Sequence, residues 1–409
     1  MNTTKTMANY YNRFLTSVSK WPDQVAVELQ HQSADEPADR YTYAELRQMS
    51  DEVARWMVQS GVPRGSRCIM LAANGPRWLA VFMGVLAAGC VVVPLDTAFN
   101  AEQVHKLAGD SGSLLAFADE KHLPTAEKGA EGLGVRVVSI DADGKPLSEL
   151  LAAAPADTAI PVEVADDEIA ALLYSSGTTG DPKGVMLTHA NFSAEMDAIF
   201  KAFTIGPEDS MLGVLPLFHA LALVITLLLP LTSGSRILFL ESLNTTDLMR
   251  ALPRVNIFIC VPQFFYLIHE RLWKEVSGKG KAAENAFRAL LKISYFGRRF
   301  GLNLGKVFFG KVHKLMGENM RYLGSGGSKL DPEIGREFEA LGFTMLQGYG
   351  LTETTGCATY TPPGQIDIAT IGKPLPGMEV KIIASEVAEG SEPRAHADGE
   401  ICIRGGIVM

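Results

Sequence analysis

Tyr174-Ser-Ser-Gly-Thr-Thr-Gly-Asp-Pro-Lys-Gly-Val-Met-Leu-Thr-His189 places three glycines, four Ser/Thr hydroxyls and one lysine on the eleven residues from Tyr174 to Gly184. The apolar run Ile169-Ala-Ala-Leu-Leu173 leads into this loop and Val185-Met-Leu187 leads out of it. Such a loop can turn many backbone N–H groups and hydroxyls inward on a polyanion, with Lys183 adding charge. In chemical terms it is a phosphate-binding loop. The order Gly177, Gly180, Lys183, Gly184 does not fit G-x-x-x-x-G-K-[ST], so it is not a Walker A loop.

The segments upstream alternate between helix and strand patterns. Thr42-x-x-Glu45 is a capping box, followed by Leu46, Met49, Val53, Trp56 and Met57 at helical spacing up to Gly61. Ile69-Met-Leu-Ala72 reads as a buried strand. Asn74 with Pro76 opens a second helix carrying Trp78, Leu79, Phe82, Met83 and Leu86, and Cys90-Val-Val-Val-Pro-Leu95 is the next strand. This rhythm predicts an α/β fold of doubly wound, mostly parallel sheets with helices on both faces. From about Gln365 the texture changes to short β-type runs, Glu379-Val-Lys-Ile-Ile383 and Glu400-Ile-Cys-Ile403, which suggests a small β subdomain.

A second motif follows the loop: Gln347-Gly-Tyr-Gly-Leu-Thr-Glu-Thr-Thr-Gly356. Glycines on both sides of Tyr349 let backbone approach a ligand while the ring offers a stacking face. Thr352 can hydrogen-bond a phosphate, and Glu353 is a hard oxygen ligand suited to Mg²⁺. A third run, Gly324-Ser-Gly-Gly-Ser-Lys329, follows the strand-like Met320-Arg-Tyr-Leu323, where an open α/β sheet exposes backbone to ligands.

Together these stretches resemble the adenylate-forming (AMP-binding) enzymes, and most of all the long-chain fatty-acid–CoA ligases. The resemblance runs from about Tyr41 to the last residue. It implies layered αβαβα sheets with a β-barrel-like subdomain, divided as a first α/β part (1–168), a second with the ATP loop (169–359) and the start of the β subdomain (360–409). It implies that Ser175, Ser176, Gly177, Thr178, Thr179, Gly180 and Lys183 grip the ATP phosphates. It also implies that Gln347, Gly348, Tyr349 and Gly350 bind the nucleotide, with Tyr349 at adenine, Thr352 at the α-phosphate and Glu353 at Mg²⁺. Gly326, Gly327 and Ser328 would lie beside adenine and the acyl group. In Leu215-Pro-Leu-Phe-His-Ala220, His219 would close or orient the carboxylate pocket.

The implied reaction joins a fatty acid and ATP to acyl-AMP, then passes the acyl group to CoA. An acyl-AMP ligase delivering to a carrier protein, or a nucleotide- or acyl-binding module without turnover, are the alternatives. Within the family, the ribose-binding aspartate, a hinge and the small domain carrying the catalytic lysine follow the point reached by Glu400-Ile-Cys-Ile-Arg-Gly-Gly-Ile-Val-Met409. The resemblance therefore covers the large N-terminal domain, and implies slow or undetectable turnover by these residues alone.

Composition agrees with that class. A chain of 409 residues, 47% of them hydrophobic, can fill a large core, and a net charge of −9 argues against a general nucleic-acid binder. Five scattered cysteines without a C-x-x-C pair suggest neither disulfides nor zinc and fit a cytosolic setting. The apolar run Val214 to Leu231 contains Pro216, His219 and Pro230 and reads as a buried core helix rather than a membrane span. From Arg271 to Arg321, twelve Lys/Arg stand against three Glu, with six Phe/Tyr interleaved. That stretch is either a solvated helical face or a surface for CoA phosphates or anionic lipid, Arg298, Arg299 and Lys306 included.

Overall fold

The computed structural model describes residues 9–141, 147, 151, 158–160, 164–175, 182–364, 367–384 and 399–409. The strands in chain order are β1 (Val25–Gln30), β2 (Asp39–Thr42), β3 (Arg67–Leu71), β4 (Val91–Pro94), β5 (Leu115–Ala118) and β6 (Arg136–Ser139). They continue with β7 (Ile169–Ser175), β8 (Lys183–Thr188), β9 (Ser210–Gly213), β10 (Arg236–Leu240), β11 (Ile257–Cys260) and β12 (Tyr322–Ser325). The last are β13 (Met345–Tyr349), β14 (Thr359–Tyr360), β15 (Lys373–Pro374), β16 (Glu379–Ala384) and β17 (Gly399–Arg404).

A six-stranded sheet has the order β6-β5-β3-β4-β7-β8, parallel except for the β7–β8 hairpin. A nine-stranded sheet has the order β15-β14-β13-β12-β11-β9-β10-β1-β2, parallel from β13 through β1 and antiparallel at both edges. The expected α/β architecture with mostly parallel sheets is therefore observed. Of the C-terminal β part, the described residues form one antiparallel pair, β16–β17.

Sheet membership does not follow chain order across residue 168. β1 and β2 cross to the nine-stranded sheet, while β7 and β8 complete the six-stranded one. The helix Tyr10–Lys20 helps to join the two: the Tyr10 hydroxyl donates to the Leu228 carbonyl (2.7 Å) and that of Tyr11 to Asp51 Oδ1 (2.8 Å).

Local signals account for the flanking helices. Thr42 caps the helix Tyr43–Gln59 with Glu45 closing the box. The helix Pro76–Ala87 starts at Pro76, but its cap is Gly75, and the Asn74 side chain instead bridges the Leu215 carbonyl (2.7 Å) and the Leu217 N–H (3.1 Å). These two helices touch closely because Gly84 lies where a Cβ would come within 2.7 Å of the Ser50 carbonyl oxygen. The apolar run from Val214 is buried as expected but opens as a loop. It becomes helical only at Ala220–Ala222, continuing through a π-helical Leu223–Leu228 and Leu229–Ser233. Among the described residues no helix is long and apolar enough to cross a membrane.

Candidate functional site

Four parallel strands of the nine-stranded sheet, β9, β11, β12 and β13, end on the same side of the sheet, and the sequence motifs leave from those ends. β9 runs into Val214–His219, β12 into Gly326, Gly327 and Ser328, and β13 into Gly350 and the turn Thr352–Thr354. Ser325 and Gln347 are partners in register, so the two glycine-bearing segments emerge side by side. Carboxyl ends of parallel strands are where open α/β sheets hold ligands.

The glycines answer to contacts. A Cβ on Gly350 would lie 2.2 Å from the Gly356 carbonyl oxygen, so only glycine lets the chain fold back on itself there. One on Gly326 would lie 2.9 Å from the Leu221 side chain, and Gly327 takes φ +77, a left-handed conformation that glycine adopts without penalty. Thr355 has a positive φ of 61 despite its side chain, held by its Oγ1 donating to the Ile407 carbonyl (2.7 Å). Met409 N–H donates to the Glu353 carbonyl (3.0 Å), and Asn191 Nδ2 to the carbonyls of Gly406 and Val408 (both 2.9 Å). The segment 405–409 thus clasps the Thr352–Thr355 turn to the helix His189–Ala202.

The β7–β8 hairpin brings the phosphate-type loop to the same place, for β8 packs against the Thr352–Thr354 turn. Ser175 pairs with Lys183 and Tyr174 with Gly184 at the mouth of the hairpin. Tyr174 is anchored by its hydroxyl donating to Asp110 Oδ2 (2.5 Å). Lys183 is exposed. Ser176, Gly177, Thr178, Thr179 and Gly180 lie outside the described residues.

The remaining predicted residues divide by environment. Tyr349 and Thr352 are half-buried, and Glu353 is exposed and enters no ion pair among the described residues. Gln347 is otherwise engaged: its side-chain amide donates to the Ile368 carbonyl and its backbone N–H to Thr361 Oγ1 (2.6 Å). His219 caps the start of the helix that lines the site and lies against Phe218, ring centroids 4.2 Å apart. It is exposed, yet desolvation of its ring lowers its pKa against the opposing pull of Asp96, so it is neutral near pH 7. No group of three or more His, Cys, Asp or Glu able to hold a metal occurs among the described residues. A single free carboxylate suits Mg²⁺ that takes its other oxygens from phosphates and water, which is how Glu353 fits that ion.

Beside the glycine motifs opens an apolar cavity lined by Ile199, Phe203, Leu221, Ile225, Ile259 and Gly326 among others, with no charged side chain in its wall. Ser325 Oγ, also in this wall, is buried without a hydrogen-bond partner. Sequence reading passed over Ser325 because it looks like one more small residue in a Gly/Ser run. A wider cleft holds Arg77, Asp119, Asp141 and Glu241 and is too charged for an apolar tail.

Behind the site sits Glu195, fully buried, with Oε1 accepting the Cys357 N–H (3.1 Å) and Oε2 unpartnered. Burial raises its carboxyl well above the usual range, against the Cys357 N–H that favours the charged form, and its Oε1 braces the chain after Gly356. No sequence pattern marked it.

A profile of the AMP-binding enzyme family matches residues 14–409. The chain belongs to that family. It is 28% identical over 390 residues to the long-chain-fatty-acid–CoA ligase FadD15 of Mycobacterium bovis, covering 90% of this chain and 63% of that one. It is 29% identical over 378 residues to the mitochondrial malonate–CoA ligase ACSF3 of Xenopus laevis, covering 88% and 60%. The N-terminal domain of FACL13 from Mycobacterium tuberculosis superposes with a TM-score of 0.75 at 22% identity, covering 98% of this chain and 90% of that one. The chain thus spans just under two thirds of the length of these curated relatives.

Proposed function

We propose that this protein carries the ATP- and acyl-binding part of an AMP-forming acid–thiol ligase that activates a fatty acid as acyl-AMP for transfer to CoA. One observation carries this reading. The Gly326–Ser328 and Gly348–Glu353 segments leave adjacent parallel strands beside an uncharged cavity, with the hairpin of the other sheet packed against them. The curated relatives act on acids as different as long-chain fatty acids and malonate. A malonate tail would bring a second carboxylate into a wall without a cation, whereas an alkyl chain suits it.

In this reading Tyr349 stacks on adenine. Thr352 holds the α-phosphate, and Lys183 with the hydroxyls of residues 175–179 holds the outer phosphates. His219, neutral, orients the carboxylate at the cavity mouth, and Gly326 and Gly327 leave the acyl chain room to pass. Glu353 would hold Mg²⁺, whose chemistry is to screen phosphate charge as the carboxylate approaches. The chain's own contribution is placement: carboxylate and α-phosphorus brought within attack distance and shielded from water.

Isothermal titration tests the proposal. ATP should bind in a Mg²⁺-dependent manner. Lys183→Ala should weaken it by about 1–3 kcal/mol, the worth of a charged contact, and Glu353→Gln should remove much of the Mg²⁺ dependence. Fatty acids should bind more tightly as the chain lengthens, and malonate should not compete. ATP affinity untouched by both replacements would refute the site. Binding of ATP and acid with no adenylate from the complete enzyme would leave a binding module in place of a ligase.

A further inference from the structure

We propose that the outer face of the helices Lys281–Arg298, Leu304–Phe308 and Gly310–Met316 docks onto an anionic lipid bilayer. The helix Lys281–Arg298 buries Leu291, Ser294 and Gly297 against the helix Pro332–Ala340, with Ser294 Oγ donating to the Ala340 carbonyl (2.6 Å). That anchoring turns the opposite stripe, Ala289, Ile293, Phe296 and Phe300, to solvent at helical spacing. Gly305 packs so closely on the Leu341–Gly342 backbone that a Cβ would lie 2.4 Å from Gly342 N, and this fixes Lys306, Val307 and Phe308 outward. The result is a cluster of large apolar groups in water: Phe300 is 68% and Val307 76% exposed, with Ile293, Phe296, Leu302 and Leu315 each near half. An exposed apolar group of this size on one face marks an interaction surface.

Charge identifies the occupant. Asn285 to Gly317 holds seven Lys/Arg and no Asp or Glu, in a protein of net charge −9. Two of the seven serve the fold. Arg288 pairs with Glu284 (2.9 Å) and lies 4.4 Å over the Trp273 ring, while Arg298 donates inward to the carbonyls of Glu339 (3.0 Å) and Phe343 (3.3 Å). Arg298, expected from sequence among the lipid-facing cations, is therefore a structural residue. Lys292, Arg299, Lys306, Lys311 and Lys314 are exposed and enter no ion pair among the described residues. Cations interspersed with apolar side chains match a headgroup layer above acyl chains. Single-stranded nucleic acid would stack on Phe296 and Phe300 but leave the aliphatic Ile293, Leu302, Val307 and Leu315 in water, whereas acyl chains take up all six.

Sedimentation with lipid vesicles tests this. Binding should be weak to phosphatidylcholine alone, rise as phosphatidylglycerol is added, and fall with salt. Lys306→Gln with Lys311→Gln should weaken binding roughly 25-fold, from about a fivefold loss per cation. Phe300→Ser with Val307→Ser should remove the binding that survives high salt. Both pairs are exposed, so ATP affinity and melting temperature should stay unchanged, which separates a lost surface from a lost fold. Equal binding to neutral and anionic vesicles overturns the proposal, as does binding indifferent to both double substitutions. A wild-type dimer in solution that Phe300→Ser with Val307→Ser dissociates would overturn it too, assigning the face to a second copy of the chain.

Discussion

His189 is buried at the first position of its helix, its backbone N–H donates to the Glu168 carbonyl (3.1 Å), and its ring Nδ1 has no partner. Burial lowers its pKa from 6.5 to about 4, against the opposing charge of Glu168. The folded protein thus refuses a proton that the unfolded chain accepts below pH 6.5. Stability contributed by the neutral ring is present above that pH and is lost as pH falls toward 4, at up to about 1.4 kcal/mol per pH unit. Glu195 and Glu339, whose carboxyls burial raises, act with the opposite sign in the acid range. The difference between wild type and His189→Gln isolates the histidine. Urea midpoints at pH 7 and pH 4.5 should fall less in the variant than in wild type, and parallel curves would exclude His189 as the titrating group. None of this was legible in the sequence, where His189 reads only as the last letter of a loop motif and its burial is set by the tertiary fold.

At the scale of elements, the helix His189–Ala202 joins the β7–β8 hairpin to the Thr352–Thr355 turn. Thr188 and Asn191 form a capping box, and the same Asn191 amide donates to Gly406 and Val408. Asn191→Ala should cost about 2–4 kcal/mol, combining a lost cap with two carbonyls left unpaired. It should weaken ATP binding as well, because the 405–409 clasp also holds the Thr352–Thr355 turn. Asn191→Asp keeps the cap acceptor but loses both donors. If its urea stability and ATP affinity equal those of wild type, the clasp contributes nothing. Local signals were the legible part of this architecture: the Thr42–Glu45 box, Pro76 at a helix start and the paired runs at 379 and 400 all appear where the spacing placed them. Pairing across the chain was not legible. Nothing in Val25–Gln30 says that it pairs with Arg236–Leu240, because any buried strand of that length would satisfy the same pattern. Likewise the motif around Gln347 gives no sign that its side-chain amide donates to the Ile368 carbonyl, a contact set by the tertiary fold.

For the whole molecule, the two sheets share one apolar core. Met70, Val92 and Phe117 of the six-stranded sheet belong to the same buried cluster as Leu212, Leu238 and Phe258 of the nine-stranded one. Strands from both ends of the sequence are interleaved, and the proposed ATP site lies where the hairpin of one sheet meets the strand ends of the other. Large proteins often unfold in stages, each part melting by itself. A shared core and interleaved strands work against that here, since neither sheet can lose its partner without exposing the common cluster. Unfolding should therefore be a single transition, followed equally by Trp56, which packs on Phe117 of the six-stranded sheet, and by Trp273, on the helix Pro262–Ser277 that follows β11 of the nine-stranded one. ATP with Mg²⁺ binds only the folded form in this account, so at a hundredfold excess over its dissociation constant it should add about 2.7 kcal/mol. The whole transition should move upward without splitting. Calorimetry with and without ATP decides the matter. Two resolved transitions, only one of which responds to nucleotide, would mean that the sheets fold independently and that the ligand rests on one of them alone.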